Sequence, residues 1–355
     1  MQKSSTKDNC FDLIRLLAAL QIMLGHSWRH CVGGYPSCLS PLLDLSIGVT
    51  VFFITSGYLV FASYENNREN PGKYFFNRII RIYPPLWAAN ILLLLVGYPS
   101  LGKVLPDISG VYHHYTSLAD MFSRLIIENI VPGVHAVGIV NGSLWTIKVE
   151  LQIYILIALS YKVLKKLHIW QWMVLIFAAM QLNIWDYFFR STVDSILGME
   201  IYDYFCFPYI YIFLLGAFIY NYRTKIIPLI TDRKMLILIL TVFIIWYMIY
   251  TELKIIPEFG KSYNPITSFI IAFLLIGVAH TFTVNIKNDI SYGIYIWHMI
   301  LINIGKLWGF QGYSFMLSVW GGTCLMAVLS CKLIEQPLLK RKEKIYGIIK
   351  KICCS

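Results

Sequence analysis

Residues 45–64 read LSIGVTVFFITSGYLVFASY, which is twenty consecutive residues without one charged side chain. As an α-helix this stretch is about 30 Å long, which matches the hydrocarbon thickness of a bilayer. The whole chain of 355 residues has the same character, because 57% of its residues are hydrophobic and only 14% are charged. A soluble domain carries about 25% charged residues. We therefore predict an integral membrane protein and exclude a cytosolic enzyme, a secreted disulfide-rich scaffold and a disordered chain.

Nine further segments are also long and apolar enough to cross a membrane. A chain inside lipid has to satisfy its backbone polar groups internally, so a single segment crosses as a helix. We predict an all-α integral membrane protein with about ten transmembrane helices, at 11–28, 45–64, 82–98, 143–164, 169–185, 203–222, 235–250, 266–283, 290–307 and 313–334. An amphipathic stretch at 118–131, in the long connection 99–142, is expected to lie on the surface or to re-enter the membrane.

Basic residues predict the orientation of the chain. With the N-terminus on the cytoplasmic side, 20 Lys and Arg residues fall in cytoplasmic segments and 7 in outer segments. Cytoplasmic loops carry the excess of Lys and Arg, so both termini are predicted to be cytoplasmic. Orientation and attraction to anionic membrane lipid then explain the net charge of +11, and a nucleic-acid partner is not expected. We predict a multi-pass protein of the cell (inner) membrane, with one membrane domain at 1–340 and a short basic cytoplasmic tail at 341–355.

The first span contains three ionisable residues, Asp12, Arg15 and His26. Such groups inside a membrane are costly and usually functional. Arg15 and His26 are eleven positions apart, so they share one face of the helix with a rise of about 16 Å between them. This arrangement suits an anionic donor with a long thin arm, held by Arg15 and reaching a base at His26. Two plainer interpretations are that Arg15 pairs with Asp12 and that His26 makes a contact between helices.

The second span carries the pattern Phe52-Phe53-x-x-Ser56-Gly57. Small residues such as Ser56 and Gly57 allow close approach of another helix or of a ligand. Phe52 and Phe53 could form the wall of a slot for that ligand. Packing of the protein core explains the pattern nearly as well.

Two arginines, Arg78 and Arg81, precede Pro84 and Pro85. The arginines are three positions apart on one helical face, and the prolines predict a break in the helix directly after them. Arginine is well suited to bind phosphate with its forked guanidinium group. The alternative is that both arginines only anchor the cytoplasmic end of a span.

The fourth span begins with Trp145 and contains Glu150 about 10 Å from its outer end. At that depth Glu150 could meet His26, and it could instead neutralise Lys148 or Arg15. Trp145 offers an apolar face on which a sugar ring could stack.

The ninth span contains Tyr292, Tyr295 and His298 at spacings of three. His298 is the second histidine near the middle of the membrane, so it competes with His26 for the role of catalytic base.

Cys31 and Cys38 both fall in the first outer loop, and the sequence leaves open whether they form a disulfide. No Gly-rich phosphate loop, zinc-ligand spacing or nucleophile elbow is present, so we predict no metal and no permanently bound cofactor.

The order of these motifs along the chain resembles that found in the acyltransferase-3 family of polytopic membrane acyltransferases. The resemblance covers nearly the whole chain, and each motif is weak alone but specific in this order. The matching motifs are Phe11-Asp12-Leu-Ile-Arg15-Leu-Leu-Ala-Ala-Leu followed by His26; Phe52-Phe53-x-x-Ser56-Gly57; Arg78-x-x-Arg81-x-x-Pro84; Ser143-Leu144-Trp145 with Glu150 and Tyr154; Ser291-Tyr292-x-x-Tyr295-x-Trp297-His298; and Ile334-Glu335-Gln336-Pro337. Relatives often carry a second acidic residue where this chain has Leu151.

The resemblance implies transfer of an acyl group, usually acetyl, from cytoplasmic acyl-CoA to a hydroxyl of an extracytoplasmic or lipid-linked glycan, such as a bacterial O-antigen of lipopolysaccharide or another exopolysaccharide. It also implies that His26 is catalytic. The expected roles are catalysis for His26 and Glu150; binding of the acyl-CoA donor for Arg15, Arg78, Arg81, Phe52, Phe53, Ser56 and Gly57; and binding of the acceptor for Trp145, Tyr154, Tyr295 and His298. A transporter or flippase for a lipid-linked glycan, without acyl transfer, is the alternative. The sequence does not identify the acceptor sugar.

Overall fold

A computed structural model describes residues 9–34, 36–39, 42–97, 141–197, 205–253 and 264–353. Throughout these ranges the regular structure is helical and no strand occurs. The predicted all-α class is therefore confirmed for the described chain. The amphipathic stretch predicted at 118–131 lies outside the described residues.

Twelve α-helices follow one another through the described ranges. They are α1 Phe11–Ser27, α2 Leu45–Asn66, α3 Pro71–Gly97, α4 Trp145–Leu164, α5 Ile169–Leu197, α6 Ile210–Asn221, α7 Arg223–Ile230, α8 Arg233–Leu253, α9 Pro265–Thr281, α10 Ser291–Leu307, α11 Tyr313–Ser330 and α12 Gln336–Cys353. Shorter elements are the π-helices Trp28–Val32 and Cys331–Glu335 and the 3-10 turns Ser37–Leu39, Gly142–Leu144 and Phe207–Tyr209. Each of the ten predicted spans overlaps one of the α-helices.

Large apolar side chains are exposed along several of these helices. In α5, Trp170 is 64% exposed and Phe177 60%, and in α8 Met248 is 60% exposed. Soluble proteins rarely expose contiguous apolar surface of this kind, whereas a bilayer solvates it. The helical surface is therefore consistent with a membrane protein.

Among the described residues, two helical segments are both long and apolar enough to cross a bilayer, Leu45–Asn66 and Tyr313–Ile352. Two shorter apolar helices, Phe207–Asn221 and Pro265–Thr281, resemble them in composition. A full set of ten crossings and the cytoplasmic position of both termini stay predictions.

The chain forms two compact units, of which the first comprises Met1–Ala18, Asp44–Asn66 and Val149–Lys287. In this unit α2 packs tightly against α6. A Cβ atom at Gly57 would lie 2.1 Å from the carbonyl oxygen of Phe213. A Cβ atom at Gly216 would lie 2.2 Å from the carbonyl oxygen of Ile54. Only glycine fits either position, so this glycine pair sets how closely the two helices approach.

Glu65, near the C-terminal end of α2, joins several elements of the first unit. It forms ion pairs with Lys165 at 2.7 Å and with Arg223 at 3.4 Å. It also accepts hydrogen bonds from the hydroxyls of Tyr220 and Tyr161. Because one carboxylate serves four partners from different elements, it fixes the end of α2 relative to them.

The second unit comprises Ala19–Leu43, Asn67–Lys148 and Asn288–Ser355. Within it α10 packs against α11 and α3, and α12 packs against α3. The basic tail predicted at 341–355 is helical through Cys353. An ion pair of 2.8 Å joins Glu343 of α12 to Lys73 of α3. The division into a domain at 1–340 and a tail stays a prediction.

The helix break predicted at Pro84 is wrong, because α3 continues through Pro84 and Pro85 to Gly97. Two prolines remove two backbone donors, and neighbouring helices can compensate for this loss in a membrane protein. The prolines free the carbonyl oxygens of Ile80 and Arg81, and directly after them the hydroxyl of Tyr292 in α10 donates a 2.9 Å hydrogen bond to the carbonyl oxygen of Ile82. The arginines before the prolines therefore lie within a long continuous helix.

The connection predicted at 186–202 is also partly wrong, because α5 continues to Leu197. Asn183, a polar residue within the predicted span at 169–185, is fully buried and donates a 3.0 Å hydrogen bond to the carbonyl oxygen of Pro208. A polar residue with a buried partner does not interrupt a helix.

The thiols of Cys31 and Cys38 are both free.

Candidate active site

His26 in the last turn of α1 and His298 in the middle of α10 contact each other directly. The Nδ1 atom of His26 lies 2.9 Å from the Nε2 atom of His298. Their ring centroids are 5.1 Å apart with an interplanar angle of 26°. His298 is completely buried. The π-helix Trp28–Val32 begins two residues after His26, and such distortions are frequent at functional sites.

The hydrogen bonds determine which nitrogen of each ring carries a proton. Nδ1 of His298 lies 3.0 Å from the carbonyl oxygen of Ile294. A carbonyl only accepts, so Nδ1 of His298 is the donor and its Nε2 has the lone pair. His26 then donates to His298 from its own Nδ1. The Nε2 atom of His26 is left unprotonated, which is the state that a base requires.

The turn at Asn141–Leu144 holds α10 just before His298. The hydroxyl of Tyr295 donates to the carbonyl oxygen of Ser143 at 2.8 Å. The side-chain amide of Asn141 donates to the carbonyl oxygen of Ile296 at 3.1 Å. These bonds fix the rotation of α10 about its own axis at residues 295–296. Because of this rotation, the side chain of His298 faces His26. Tyr295, a predicted acceptor residue, therefore has a structural role here.

Glu150 in α4 accepts two hydrogen bonds on the same oxygen, Oε1. The hydroxyl of Ser56 in α2 donates at 2.6 Å, and the hydroxyl of Tyr154 donates at 2.5 Å. The structure thereby brings together three predicted site residues from two motifs. Contact of Glu150 with His26 stays a prediction.

Two of the predicted donor residues in α2 pack against α6. Phe53 is 2% exposed, and its ring centroid lies 4.6 Å from that of Phe213. Gly57 contacts the backbone of the same residue. Core packing therefore accounts for Phe53 and Gly57. Phe52 is half-buried, and binding of a donor by any residue of this motif stays a prediction.

The predicted donor arginines have different surroundings. Arg81 makes a 3.2 Å ion pair with Asp289. The guanidinium of Arg78 lies over the ring of Tyr74, 5.8 Å from its centroid. Arg15 is half-buried in α1. Arg78 and Arg81 lie one turn apart on α3, as predicted, and their binding of phosphate stays a prediction.

Asp289 is a site residue that the sequence interpretation missed. Its Oδ2 atom pairs with Arg81, and its Oδ1 atom accepts from the backbone N–H and the hydroxyl of Ser291 at 3.0 and 2.5 Å. A carboxylate that accepts from the backbone N–H two residues further on forms an Asx turn, which here leads into α10. The pattern Asp289-x-Ser291 at the start of the ninth span was the signal for it. One residue thus links α3 to the start of the helix that carries His298.

Comparison with known proteins identifies the family of the chain. The model of the acyltransferase domain family known as Acyl_transf_3 matches residues 8–335, nearly the whole chain. The chain belongs to the acyltransferase-3 family. The protein is therefore an acyltransferase, and the family resemblance expected from the six motifs is confirmed.

Two relatives support the family assignment. Nodulation protein 10 of Rhizobium leguminosarum bv. viciae is 26% identical over an alignment of 362 positions. The alignment covers 97% of this chain and 96% of the relative. An O-acetyl transferase of Shigella phage Sf6 is 29% identical over 184 residues, which cover 50% of this chain and 53% of the relative. No solved structure is significantly similar to the chain.

Proposed function

We propose that this protein transfers an acyl group, most simply acetyl, from cytoplasmic acyl-CoA to a hydroxyl of an extracytoplasmic or lipid-linked glycan. The site of action is the cell membrane, which the chain crosses several times. Membership of the acyltransferase-3 family and the likeness to an O-acetyl transferase support the reaction type. No metal or permanently bound cofactor is part of this proposal.

The observation that carries the proposal is the hydrogen-bond series from His26 to His298 to the backbone of Ile294. It holds the imidazole of His26 in one tautomer and one orientation, with Nε2 as the base. A positioned general base contributes about 10²–10⁴-fold to a rate. A transporter that catalyses no acyl transfer has no need for a histidine whose tautomer and orientation are fixed.

The proposed reaction proceeds as a direct transfer. Nε2 of His26 takes the proton of the acceptor hydroxyl while its oxygen attacks the thioester carbonyl carbon. The tetrahedral intermediate collapses, the carbon–sulfur bond breaks and the CoA thiolate leaves. The proton on His26 then passes to the thiolate, so the products are the acylated glycan and free CoA. The lone pair of His298 stabilises the imidazolium of His26 in between.

The donor is proposed to bind through its phosphates to Arg15, Arg78 and Arg81. Arginine binds phosphate with two parallel hydrogen bonds, which favours it over lysine here. For Arg81, phosphate would compete with the carboxylate of Asp289. Phe52, Phe53, Ser56 and Gly57 stay proposed contacts of the pantetheine arm.

Glu150, Trp145 and Tyr154 are proposed to act on the acceptor side of the reaction. A carboxylate that already accepts two hydroxyl hydrogen bonds is oriented, and it retains lone pairs for a sugar hydroxyl or an imidazole. Trp145 would stack on a sugar ring. Because both ring nitrogens of His298 have partners, we assign it the positioning of His26 rather than contact with the sugar.

A purified, membrane-reconstituted protein tests the proposal with radiolabelled acetyl-CoA and a glycan acceptor. We expect label in the glycan and release of free CoA in equal amounts. Movement of a lipid-linked glycan across vesicles without any need for acyl-CoA, and without labelled product, would instead support the transporter alternative. Mass spectrometry of surface glycans from cells with and without the protein identifies the acceptor and the acyl group.

A further inference from the structure

Three basic residues that the proposed reaction does not use belong to the π-helix Trp28–Val32 and to α10, which pack against each other. His30 belongs to the π-helix Trp28–Val32, and its ring centroid lies 5.8 Å from that of His26. Arg29 is its exposed neighbour in the chain. Lys306 lies in the last turn of α10, the helix that carries His298. The buried side chains of Cys31, Met299 and Ile302 pack together, so the π-helix lies against the part of α10 that follows His298 and ends near Lys306.

The charges of Arg29 and Lys306 both act on His30. Burial, and then the nearby charges of Arg29 and Lys306, lower the pKa of His30 to about 4. His30 lies just beyond the predicted span and is neutral near pH 7. It can therefore donate or accept a hydrogen bond without adding charge, while the two cations produce a positive potential around it.

Among the described residues, Arg29 and Lys306 have no carboxylate partner. Within the described ranges, neither of them forms an ion pair. A basic residue at the end of a helix interacts favourably with the helix dipole. That effect explains each residue alone, but it does not explain why both act on one imidazole next to the proposed base.

The segment that carries Arg29 and His30 is firmly held. The backbone N–H of Gly312, just before α11, donates a 2.7 Å hydrogen bond to the carbonyl oxygen of Cys31. The ring centroids of Trp28 and Tyr313 lie 5.7 Å apart in an edge-to-face arrangement. Arg29 and His30 therefore belong to a segment that is fixed before any substrate binds.

We infer that Arg29, His30 and Lys306 form a subsite for an anionic group of the acceptor, either a sugar carboxylate or the phosphate of a lipid carrier. This inference rests on the proposed function, because it places the subsite on the acceptor side of His26. Arg29 falls in the first predicted outer loop and Lys306 at the outer end of the predicted span 290–307, and only 7 of the 30 Lys and Arg residues are counted on that side. The anion would bind between Arg29 and Lys306 and accept a hydrogen bond from His30. Binding of the anion would then hold the acceptor's reacting hydroxyl at His26.

Equilibrium binding without a donor tests the subsite independently of catalysis. The probes are trigalacturonate, its carboxyl-reduced neutral form and citronellyl phosphate, each with the purified full chain. We expect the wild type to bind trigalacturonate or citronellyl phosphate about tenfold more tightly than the neutral trisaccharide, with the difference falling as salt is raised. The probe that shows the preference identifies the source of the anion.

Variants assign the preference to the named residues. Arg29→Gln and Lys306→Gln should each reduce the preference to about threefold, and the double variant should abolish it. Arg29→Lys should keep it, and Lys225→Gln, which changes an exposed lysine elsewhere, should leave it unchanged. Equal binding of charged and neutral probes by the wild type, or an undiminished preference in the double variant, would overturn the inference. Absence of acyl transfer to every acceptor would instead overturn the proposed function, whatever the binding result.

Discussion

The Nδ1 atom of His26 and the Nε2 atom of His298 lie 2.9 Å apart, although the two residues are separated by 272 positions in the chain. His298 is in turn bonded to the backbone of its own helix through Ile294. The second histidine therefore does for the first what a carboxylate does in a Ser-His-Asp triad, since it fixes the tautomer and orientation of the base. It does so without a negative charge.

Replacing His298 by alanine removes the acceptor for Nδ1 of His26. We expect the kcat for acyl transfer to fall about 10²-fold, with the KM of acyl-CoA near the wild-type value. His298→Gln offers an amide oxygen in place of Nε2, so it should recover part of the activity. The thermal unfolding of both variants should also be measured, so that a loss of activity is not confused with a loss of the folded protein.

A positioning role for His298 is contradicted in two ways. One is a kcat for His298→Ala near that of the wild type. The other is complete loss of turnover with donor and acceptor binding intact, which would make His298 the base.

The charge of Glu150 can be separated from its hydrogen bonds. In Glu150→Gln the amide oxygen can still accept from Ser56 and Tyr154, so the protein should remain as stable as the wild type. We expect its kcat to fall about tenfold or more because the negative charge is lost. Glu150→Ala leaves both hydroxyls without this acceptor and should also lower stability, by about 1–3 kcal/mol. Full activity of the glutamine variant would show that Glu150 is only structural.

Arg78 is predicted to bind the phosphates of the donor. Arg78→Gln should raise the KM of acetyl-CoA about tenfold and change kcat little, because the phosphates are remote from the reacting carbon. Lys225→Gln is the matched control, since it removes an exposed positive charge outside the proposed site. Equal KM values for both variants would remove Arg78 from the donor site.

Gly57 and Gly321 provide a matched pair for helix packing. A Cβ atom at Gly57 meets the backbone of Phe213, whereas nothing lies within 4 Å of one at Gly321. Gly57→Ala should destabilise the protein by about 3 kcal/mol. Gly321→Ala should be neutral or stabilising by about 1 kcal/mol, since alanine is the better helix former. Thermal unfolding in detergent compares the two, and equal unfolding temperatures would contradict the tight contact of α2 with α6.

The sequence predicted the helical class because continuous apolar stretches such as 45–64 leave no other stable structure in lipid. It failed at Pro84, where local chemistry alone indicates a break. Next to the prolines, the hydroxyl of Tyr292 bonds to the carbonyl oxygen of Ile82 from a helix 210 positions away in the chain. Contacts of this kind hold α3 to a distant part of the chain, and residue spacing does not reveal them.

The sequence indicated several candidate residues of the site but not their contacts. His26 and His298 were both identified as ionisable groups within spans. Their contact depends on the rotation of α10, which the turn at Asn141–Leu144 determines through bonds between distant residues. For Gly57 the sequence left helix packing and ligand contact open, and only the distance to Phe213 shows the packing.

The rate of acyl transfer by His26→Ala tests the central claim most directly. The measurement uses purified protein, radiolabelled acetyl-CoA and a glycan acceptor, with His168→Ala as a control at an exposed histidine. A positioned base predicts a kcat about 10²–10⁴-fold below the wild type for His26→Ala, with donor binding retained and the control fully active. Turnover by His26→Ala at the wild-type rate would contradict the assignment of His26 as the catalytic base.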